Sequence, residues 1–282
     1  MLRALSLALT LALSTVASAE KVVPAPERAE QIKQLKARVA AIATTVFQAR
    51  IYRDSEGNTL PYRLFVPREY DASQSYPLIL FLHGAGERGA DNLGNITRAS
   101  TLPAGIWVLP EYQEKHPCFV LAPQCPKGQK WVNVQWWSFS HKQEPQPTQP
   151  LRLALEILHA VLEEFNIDRQ RLYVLGLSMG GYGTWDLITR YPTLFAAAAP
   201  ICGGMPDDTA HLVTNIPIWV FHGDKDKVVP VDRSRNAIRE LEKLGAKARY
   251  SEYQGVGHFC WDLAVTEEGF AQWLFAQRRP QK

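Results

Sequence analysis

Apolar and polar positions along the chain fall into two regular patterns. Short, nearly continuous apolar runs recur at 77–82, 118–123, 171–177, 194–200, 217–222 and 248–253. Between several of these runs, apolar residues are spaced three and four apart. The clearest example, 150–165, places Leu151, Leu155 and Leu158 on one face and has Pro150 in its first turn. Apolar strands alternating with amphipathic helices predict a mostly parallel sheet covered by helices on both faces.

The first third of the chain has a different pattern. Residues 26–45 are charged and helix-favouring, which predicts a surface helix before the core, and 46–67 predict two strands joined by a turn at 56–58. Residues 1–19 carry one Arg, an apolar run and then Ala-Ser-Ala, which is typical of a cleavable secretory signal peptide. We therefore expect a signal peptide at 1–19, a helical extension at 20–45 and one α/β domain at 46–282, in a secreted or periplasmic protein.

Composition excludes several classes of partner. The formal net charge is only +3 and no Lys/Arg-rich run is present, so no nucleic-acid binding is expected. The apolar run near the N-terminus is too short to span a bilayer comfortably, and no other segment looks transmembrane. We therefore expect no stable membrane insertion after signal removal. The chain has no dinucleotide fingerprint and no P-loop, and we expect no cofactor.

Four cysteines are present, and their spacing leaves their pairing open. In an exported chain they allow up to two disulfides, in any of three full pairings. No C-x-x-C motif occurs and the spacings are irregular, so no metal site is expected. The cysteines are Cys118, Cys125, Cys202 and Cys260.

The stretch "GLSMGG" places Ser178 between a predicted buried strand and a predicted helix. G-x-S-x-G at a strand-to-helix turn is a nucleophile elbow. Side chains at Gly176 and Gly180 would collide with neighbouring backbone in so tight a turn. The pattern predicts Ser178 as a nucleophile exposed at the tip of the turn.

The acid and the base follow by elimination, because in chains with such an elbow they come after the serine in that order. Of the seven histidines, His258 alone follows an acid at a strand end; it lies in the glycine-punctuated "YQGVGHFCWD". In "FHGDKDKVVP", Asp226 lies deeper in the turn and is the preferred acid, whereas Asp224 can instead cap the turn. Asp226 would orient the imidazole and His258 would take the Ser178 proton.

A glycine-rich loop, "FLHGAGERGADN", follows the first strand of the parallel set. An oxyanion needs preorganised N–H donors, one from the residue after the nucleophile, Met179, and one from this loop. Ala85 is the preferred loop donor and Gly86 the next. His83 is expected to brace the loop by hydrogen bonding.

The sequence also offers candidates for substrate contact. Arg88 either forms a solvated ion pair with Glu87 or binds a substrate carboxylate. The insert 127–150 is rich in aromatic residues that either wall the cleft or pack onto the body, and an aromatic wall suits a flat acyl group such as a hydroxycinnamate, or a sugar face. The candidate contacts are Gly86, Arg88, Trp131, Trp136, Trp137 and, at the rim, Trp261.

From about Tyr62 to the C-terminus the chain resembles secreted α/β-hydrolases of the phospholipase/carboxylesterase type, a group often described as predicted peptidases or esterases. The resemblance is carried by "FLHGAGERG", "GLSMGGYGTWDL", "PIWVFHGDKDKVVP" and "VGHFCWD". It implies an α/β-hydrolase fold and an acyl-enzyme route of ester hydrolysis. The preceding helix and hairpin are predicted from the residue pattern, and the helix lies outside the resemblance. The implied site comprises nucleophile Ser178, acid Asp226, base His258 and oxyanion donors Ala85 and Met179.

Three functions remain in consideration. The first is a serine esterase acting on small-molecule or polymer-linked esters, and the second is a serine peptidase of the prolyl-oligopeptidase-like type. The third is a non-catalytic carbohydrate-binding module that uses the aromatic insert. The ordered set of nucleophile, acid, base and donors favours the esterase.

Overall fold

A computed structural model of the chain describes residues 19–280. The predicted signal peptide therefore lies, apart from Ala19, outside the described residues. The strands are β1 (Ala19–Val22), β2 (Gln48–Arg53), β3 (Thr59–Phe65), β4 (Tyr76–Leu82), β5 (Phe119–Pro123), β6 (Ile167–Leu177), β7 (Ala197–Ile201), β8 (Ile218–Gly223) and β9 (Ala248–Tyr253). The α-helices are α1 (Pro26–Val46), α2 (Thr101–Gly105), α3 (Pro110–Lys115), α4 (Gln149–Glu164), α5 (Met179–Arg190), α6 (Asp232–Lys243), α7 (Trp261–Val265) and α8 (Phe270–Ala276).

The strands form one sheet in the order β1-β9-β8-β7-β6-β4-β5-β3-β2. The hairpin β2–β3 is antiparallel, as predicted, and β3 also pairs antiparallel with β5. All the other neighbouring pairs are parallel. The predicted α/β architecture is thus confirmed, with a mostly parallel sheet whose parallel strands end at one edge.

Helices cover both faces of the sheet because its central strands are apolar on both sides. Along β4, Leu78 and Leu80 belong to one core cluster, and Ile79 and Phe81 belong to the other. The first cluster is closed by α4, α5 and α6, and the second by α1, α2, α7 and α8. All seven residues of β4 are buried, so its polar backbone groups depend on pairing with β5 and β6.

The helix of the N-terminal extension, α1, packs against the α/β domain and contributes to its core, whereas the sequence predicted a surface helix before the core. Val39 on α1 is fully buried and occupies the space that a side chain at Gly105 would need. Lys36 Nζ lies 2.6 Å from a carboxylate oxygen of Asp262, and Arg28 donates to the carbonyl of Leu263 at 2.7 Å. Strand β1, which the sequence did not predict, extends the sheet beside β9.

All four cysteines are buried free thiols, so the expected possibility of disulfides is not realised in the structure. Burial raises the pKa of Cys118 and of Cys125 to about 12, which keeps these thiols protonated and unreactive. Among the helices described between residues 19 and 280, none has the length and apolar character needed to cross a membrane.

Candidate active site

Ser178 occupies the turn between β6 and α5 in a strained backbone conformation, with φ +53° and ψ −115°. A side chain at Gly176 would overlap the carbonyl of Gly180, and one at Gly180 would overlap the carbonyl of Leu82. Small residues are therefore required at both positions by the close approach of three backbone segments. The predicted elbow geometry is present, and Ser178 remains 7% exposed.

The two long loops after β8 and β9 bring an acid and a base to this serine. His258 Nε2 lies 2.8 Å from Ser178 Oγ, and His258 Nδ1 lies 2.7 Å from Asp226 Oδ2. The side chain of Asp226 is fully buried, whereas that of His258 keeps 11% exposure. The structure thus brings together the three side chains that the sequence singled out.

The carboxylate of Asp226 is held in its charged form by four donors. Oδ1 accepts the N–H groups of Val228 and Val229 at 2.8 and 2.9 Å, and Oδ2 faces both His258 and His222. Burial acts to raise the pKa of Asp226, but the hydrogen bonds from the two histidines and the backbone outweigh it. Its pKa lies well below the usual range, so the group is ionised at neutral pH.

Asp224, the alternative acid, has a separate role in the same turn. Its Oδ1 accepts the N–H of Gly255 at 2.7 Å and so ties the loop after β8 to the loop after β9. That hydrogen bond fits the turn-capping alternative for Asp224 and leaves Asp226 as the carboxylate that contacts His258.

The glycine-rich loop after β4 runs directly beside the serine. A Cβ at Gly84 would lie 3.7 Å from the Cβ of Ser178, and Ala85 follows in a short 3₁₀ turn, Ala85–Glu87. Met179 is the first residue of α5, where an N–H has no acceptor within its own helix. The two expected oxyanion donors therefore belong to segments adjoining the serine.

His83 braces this loop, as expected. Its Nδ1 lies 2.6 Å from the carbonyl of Gly84, and its Nε2 accepts the N–H of Cys125 at 2.9 Å. These partners assign the hydrogen to Nδ1 and leave the ring neutral. Complete burial lowers the pKa of His83 to about 4. The indole of Trp131 donates to the His83 carbonyl at 3.0 Å.

Trp131 is fully buried, which corrects the expectation that it contacts substrate. Of the other aromatic residues, Trp136 is half-buried and Trp137 is 65% exposed. Trp261 is only 5% exposed and lies edge-on to His258, with ring centroids 5.6 Å apart. Phe259, which the sequence analysis did not single out, is 78% exposed beside the same histidine.

Arg88 and Glu87 do not form the solvated ion pair considered from the sequence. Glu87 is buried, and burial raises the pKa of its carboxyl. Arg88 Nε donates to the Ala85 carbonyl at 2.8 Å, and its Nη1 donates to the Gln129 carbonyl at 3.2 Å. Its guanidinium also lies over Trp136, 5.7 Å from the ring centroid. Arg88 therefore links the glycine-rich loop to the aromatic insert.

Two further polar residues that sequence reasoning missed hold the same loop. The N–H of Asn92 donates to Gln124 Oε1 at 2.6 Å, and the Asn92 amide donates to the Tyr62 carbonyl at 3.0 Å. Gln124 Nε2 in turn donates to the Glu87 carbonyl at 3.0 Å. The available signal was a polar side chain directly after the buried strand β5, where it can bond a neighbouring loop at the same sheet edge.

One cluster has the donor set of a metal site. Cys202 Sγ lies with a carboxylate oxygen of Asp226 and a ring nitrogen of His258, all within 4.8 Å of one another. Burial raises the pKa of the Cys202 thiol well above its usual value, and the other two groups are already joined by their own hydrogen bond. A thiol that keeps its proton is a poor metal ligand, so this cluster does not suit a metal ion.

The strand order, the elbow and the loops at one sheet edge define an α/β-hydrolase fold. Residues 69–267 match the model of the Phospholipase/Carboxylesterase family, and the chain belongs to that family. It is therefore a carboxylic ester hydrolase.

Individual relatives agree with this assignment. The chain is 24% identical to "Probable carboxylesterase SOBER1-like" of Arabidopsis thaliana, over 66% of this chain and 74% of the relative. It is 24% identical to "Putative esterase NocK" of Nocardia uniformis subsp. tsuyamanensis, over 91% of this chain and 74% of the relative. A solved thermostable esterase superimposes with a TM-score of 0.77 at 44% identity, covering 83% of this chain. This chain spans 64% of that esterase's length.

Proposed function

We propose that the chain cleaves carboxylic esters through a covalent acyl-enzyme on Ser178, with His258 as base and Asp226 as the acid that orients it. The observation that carries this proposal is a continuous hydrogen-bonded path from Ser178 through His258 to Asp226. The distance from Ser178 Oγ to His258 Nε2 is 2.8 Å, and the distance from His258 Nδ1 to Asp226 Oδ2 is 2.7 Å. A serine hydroxyl is a weak nucleophile until a base accepts its proton. The path provides that base in contact with the hydroxyl.

In the proposed reaction, Ser178 Oγ attacks the ester carbonyl carbon while His258 Nε2 takes the hydroxyl proton. The negative charge that develops on the carbonyl oxygen is stabilised by the N–H groups of Ala85 and Met179. Asp226, ionised and buried, stabilises the imidazolium. His258 then returns the proton to the leaving alcohol, and a water molecule, activated in the same way, releases the acid from the serine.

The proposed substrates are small or polymer-linked esters with a flat group. The insert after β5 carries Trp136 and Trp137, and the loop after β9 carries Phe259 and leads into Trp261, the first residue of α7. Both segments leave the sheet at the edge that carries Ser178. Aromatic rings stack well on a hydroxycinnamoyl group or on a sugar face. An ester panel of short alkyl, long alkyl, acetylated sugar and feruloyl substrates tests this preference, which a clear advantage of long alkyl esters would contradict.

We also propose that the chain is exported by the signal pattern in residues 1–19. Cleavage after Ala19 would leave Glu20, Lys21 and Val22, three of the four residues of β1, to pair with β9. N-terminal sequencing of the protein recovered outside the cytoplasm should begin at Glu20. Recovery of the intact N-terminus from the cytoplasmic fraction would refute export.

The catalytic proposal is tested by measuring turnover of p-nitrophenyl acetate and butyrate by the native chain and by Ser178→Ala. We expect turnover and labelling by a fluorophosphonate in the native chain, and loss of both in Ser178→Ala. Ser55→Ala, at an exposed position in the β2–β3 turn, is the matched control and should retain full activity. Equal activity in native and Ser178→Ala protein would refute the proposal.

Further assays on the same protein preparation distinguish the esterase from two rival functions. Faster cleavage of short peptide amides than of matched esters would indicate a peptidase. Saturable carbohydrate binding without any turnover by the native chain would indicate a binding module.

A further inference from the structure

We propose that His222 is a positioning residue for this reaction, and that its imidazole, held by Ser234, fixes the Asp226 carboxylate in the orientation that His258 requires. This inference rests on the proposed function, because it concerns the same acid and base. His222 is the last residue but one of β8, and Ser234 lies on α6, so the network joins the sheet to the helix behind it.

The contacts of His222 define which ring nitrogen carries the hydrogen. Nε2 lies 3.1 Å from Asp226 Oδ2 and 3.1 Å from the carbonyl of Val229, two groups that only accept hydrogen bonds. Nε2 therefore carries a hydrogen. Nδ1 lies 2.7 Å from Ser234 Oγ, whose hydroxyl can donate to the bare nitrogen of a neutral ring. These partners are compatible with a neutral imidazole in which donation runs from Ser234 through His222 to Asp226, and the proposal assigns that state to the ring.

This donor meets the oxygen that contacts the catalytic base. Asp226 Oδ2 accepts from His222 Nε2 and lies 2.7 Å from His258 Nδ1, while Oδ1 is bound by backbone N–H groups. With both oxygens occupied, the carboxylate has no free rotation about its terminal bond. A neutral donor restrains Oδ2 without cancelling the charge that stabilises the His258 imidazolium. A charged His222 would compete with that imidazolium for the same carboxylate.

The position of His222 distinguishes it from a buried histidine whose hydrogen bonds only stabilise the core. His222 and Ser234 are both completely buried, so neither group exchanges its partner for water. Each polar atom of the ring has a partner within the network, and the network ends on a residue that contacts the base. Chains of hydrogen bonds polarise one another in such surroundings, so Ser234 strengthens His222 as a donor.

The other charged and titratable groups around this network are already paired or lie beyond it. Glu252 of β9 is the register neighbour of His222, and both its carboxylate oxygens accept from Arg235 of α6 at 2.8 Å. The Cys202 thiol and the Tyr182 hydroxyl also lie near Asp226, and burial raises the pKa of both groups. The network itself contains three ionisable side chains, those of Asp226, His258 and His222.

The test compares His222→Leu with His222→Gln in steady-state kinetics across pH. Leu removes the donor, which leaves Asp226 more basic and raises the pKa of His258. The acid limb of kcat/KM should move up by about half a pH unit. Loss of orientation should lower kcat about tenfold while KM stays near the native value. Gln places an amide N–H near the position of Nε2 and should restore most of kcat and the native acid limb.

Ser234→Ala keeps the proposal testable if His222→Leu does not fold. It should give the same upward movement of the acid limb, with a smaller loss of kcat, because His222 is retained but donates less strongly. His159→Leu, at an exposed position on α4, is the control and should leave the pH profile unchanged. The inference would be overturned if folded His222→Leu or Ser234→Ala kept the acid limb of the native enzyme. It would also be overturned if His222→Leu and His222→Gln lost kcat equally. Activity retained in Ser178→Ala would instead overturn the proposed function itself.

Discussion

His258 Nε2 lies 2.8 Å from Ser178 Oγ although 80 residues separate the two along the chain. The contact exists because β6 and β9 run in the same direction and their following loops leave the sheet at one edge. The contact between Ser178 and His258 therefore depends on this shared edge of the sheet.

Asp226→Asn should lower kcat by about 10³ to 10⁴. The Asn amide can donate a hydrogen bond to His258 Nδ1, where the Asp226 carboxylate accepts one. His258 is then held in the wrong tautomer, and its imidazolium loses a counter-charge. The loss is measured with p-nitrophenyl acetate, and circular dichroism monitors the fold. Asp224→Asn is the matched control, because an amide oxygen can still accept the Gly255 N–H. A similar loss in both variants would mean that Asp226 has no special role.

Gly180→Ala should destabilise the chain by at least about 3 kcal/mol, because its new methyl group overlaps the Leu82 backbone, which cannot move without disrupting β4. Gly86→Ala meets no atom within 4 Å and should change stability by less than about 0.5 kcal/mol. Urea unfolding measures both free energies. Equal stability of the two variants would contradict the tight elbow.

Stability should fall as the pH drops from 6.5 towards 4, and His83 should contribute to the fall. Burial lowers the pKa of His83 to about 4 in the folded chain, against a usual value of 6.5. Between these values the unfolded state binds the proton more readily, so the stabilisation present above pH 6.5 is lost as the pH falls. The loss from this residue should be on the order of 3 kcal/mol.

The measurement is the free energy of unfolding at pH 7 and pH 4.5. His83→Gln should show a smaller difference between the two pH values than the native chain does. His159→Gln, at an exposed position, should match the native chain. His141, whose pKa burial also lowers to about 4, should retain its own share of the loss in both variants. An unchanged pH dependence in His83→Gln would contradict the assignment.

Arg88→Ala should lower kcat about tenfold for neutral and carboxylate-bearing esters alike. The guanidinium holds the Ala85 carbonyl and lies over Trp136, so its loss loosens the loop that carries a proposed oxyanion donor. Matched pairs of neutral and anionic p-nitrophenyl esters make the comparison. Lys33→Ala, at an exposed position on α1, is the control and should retain native rates. A loss confined to anionic esters would mean that Arg88 binds a substrate carboxylate.

The local pattern of the chain was enough to predict most of the fold and the central residues of the site. Five of the six predicted apolar runs both begin and end within three residues of the observed strands. The sixth ends with β6 at Leu177, but β6 begins four residues before the run, at Ile167. The elbow is a local feature, because it requires only small residues beside Ser178 between a strand and a helix. Chain order then selected His258 and Asp226, since both follow buried strands at positions where a loop begins.

Tertiary structure alone decided the features that depend on contacts between distant segments. Strand β1 pairs through backbone groups that no side-chain pattern reveals, and Trp131 is buried because the loop carrying His83 covers it. The partners of Arg88 and the link from His222 to Ser234 likewise join segments whose proximity the sheet creates. Hydrophobic periodicity indicates which face of a segment is buried. The neighbouring segment that buries this face is determined only by the order of the strands in the folded sheet.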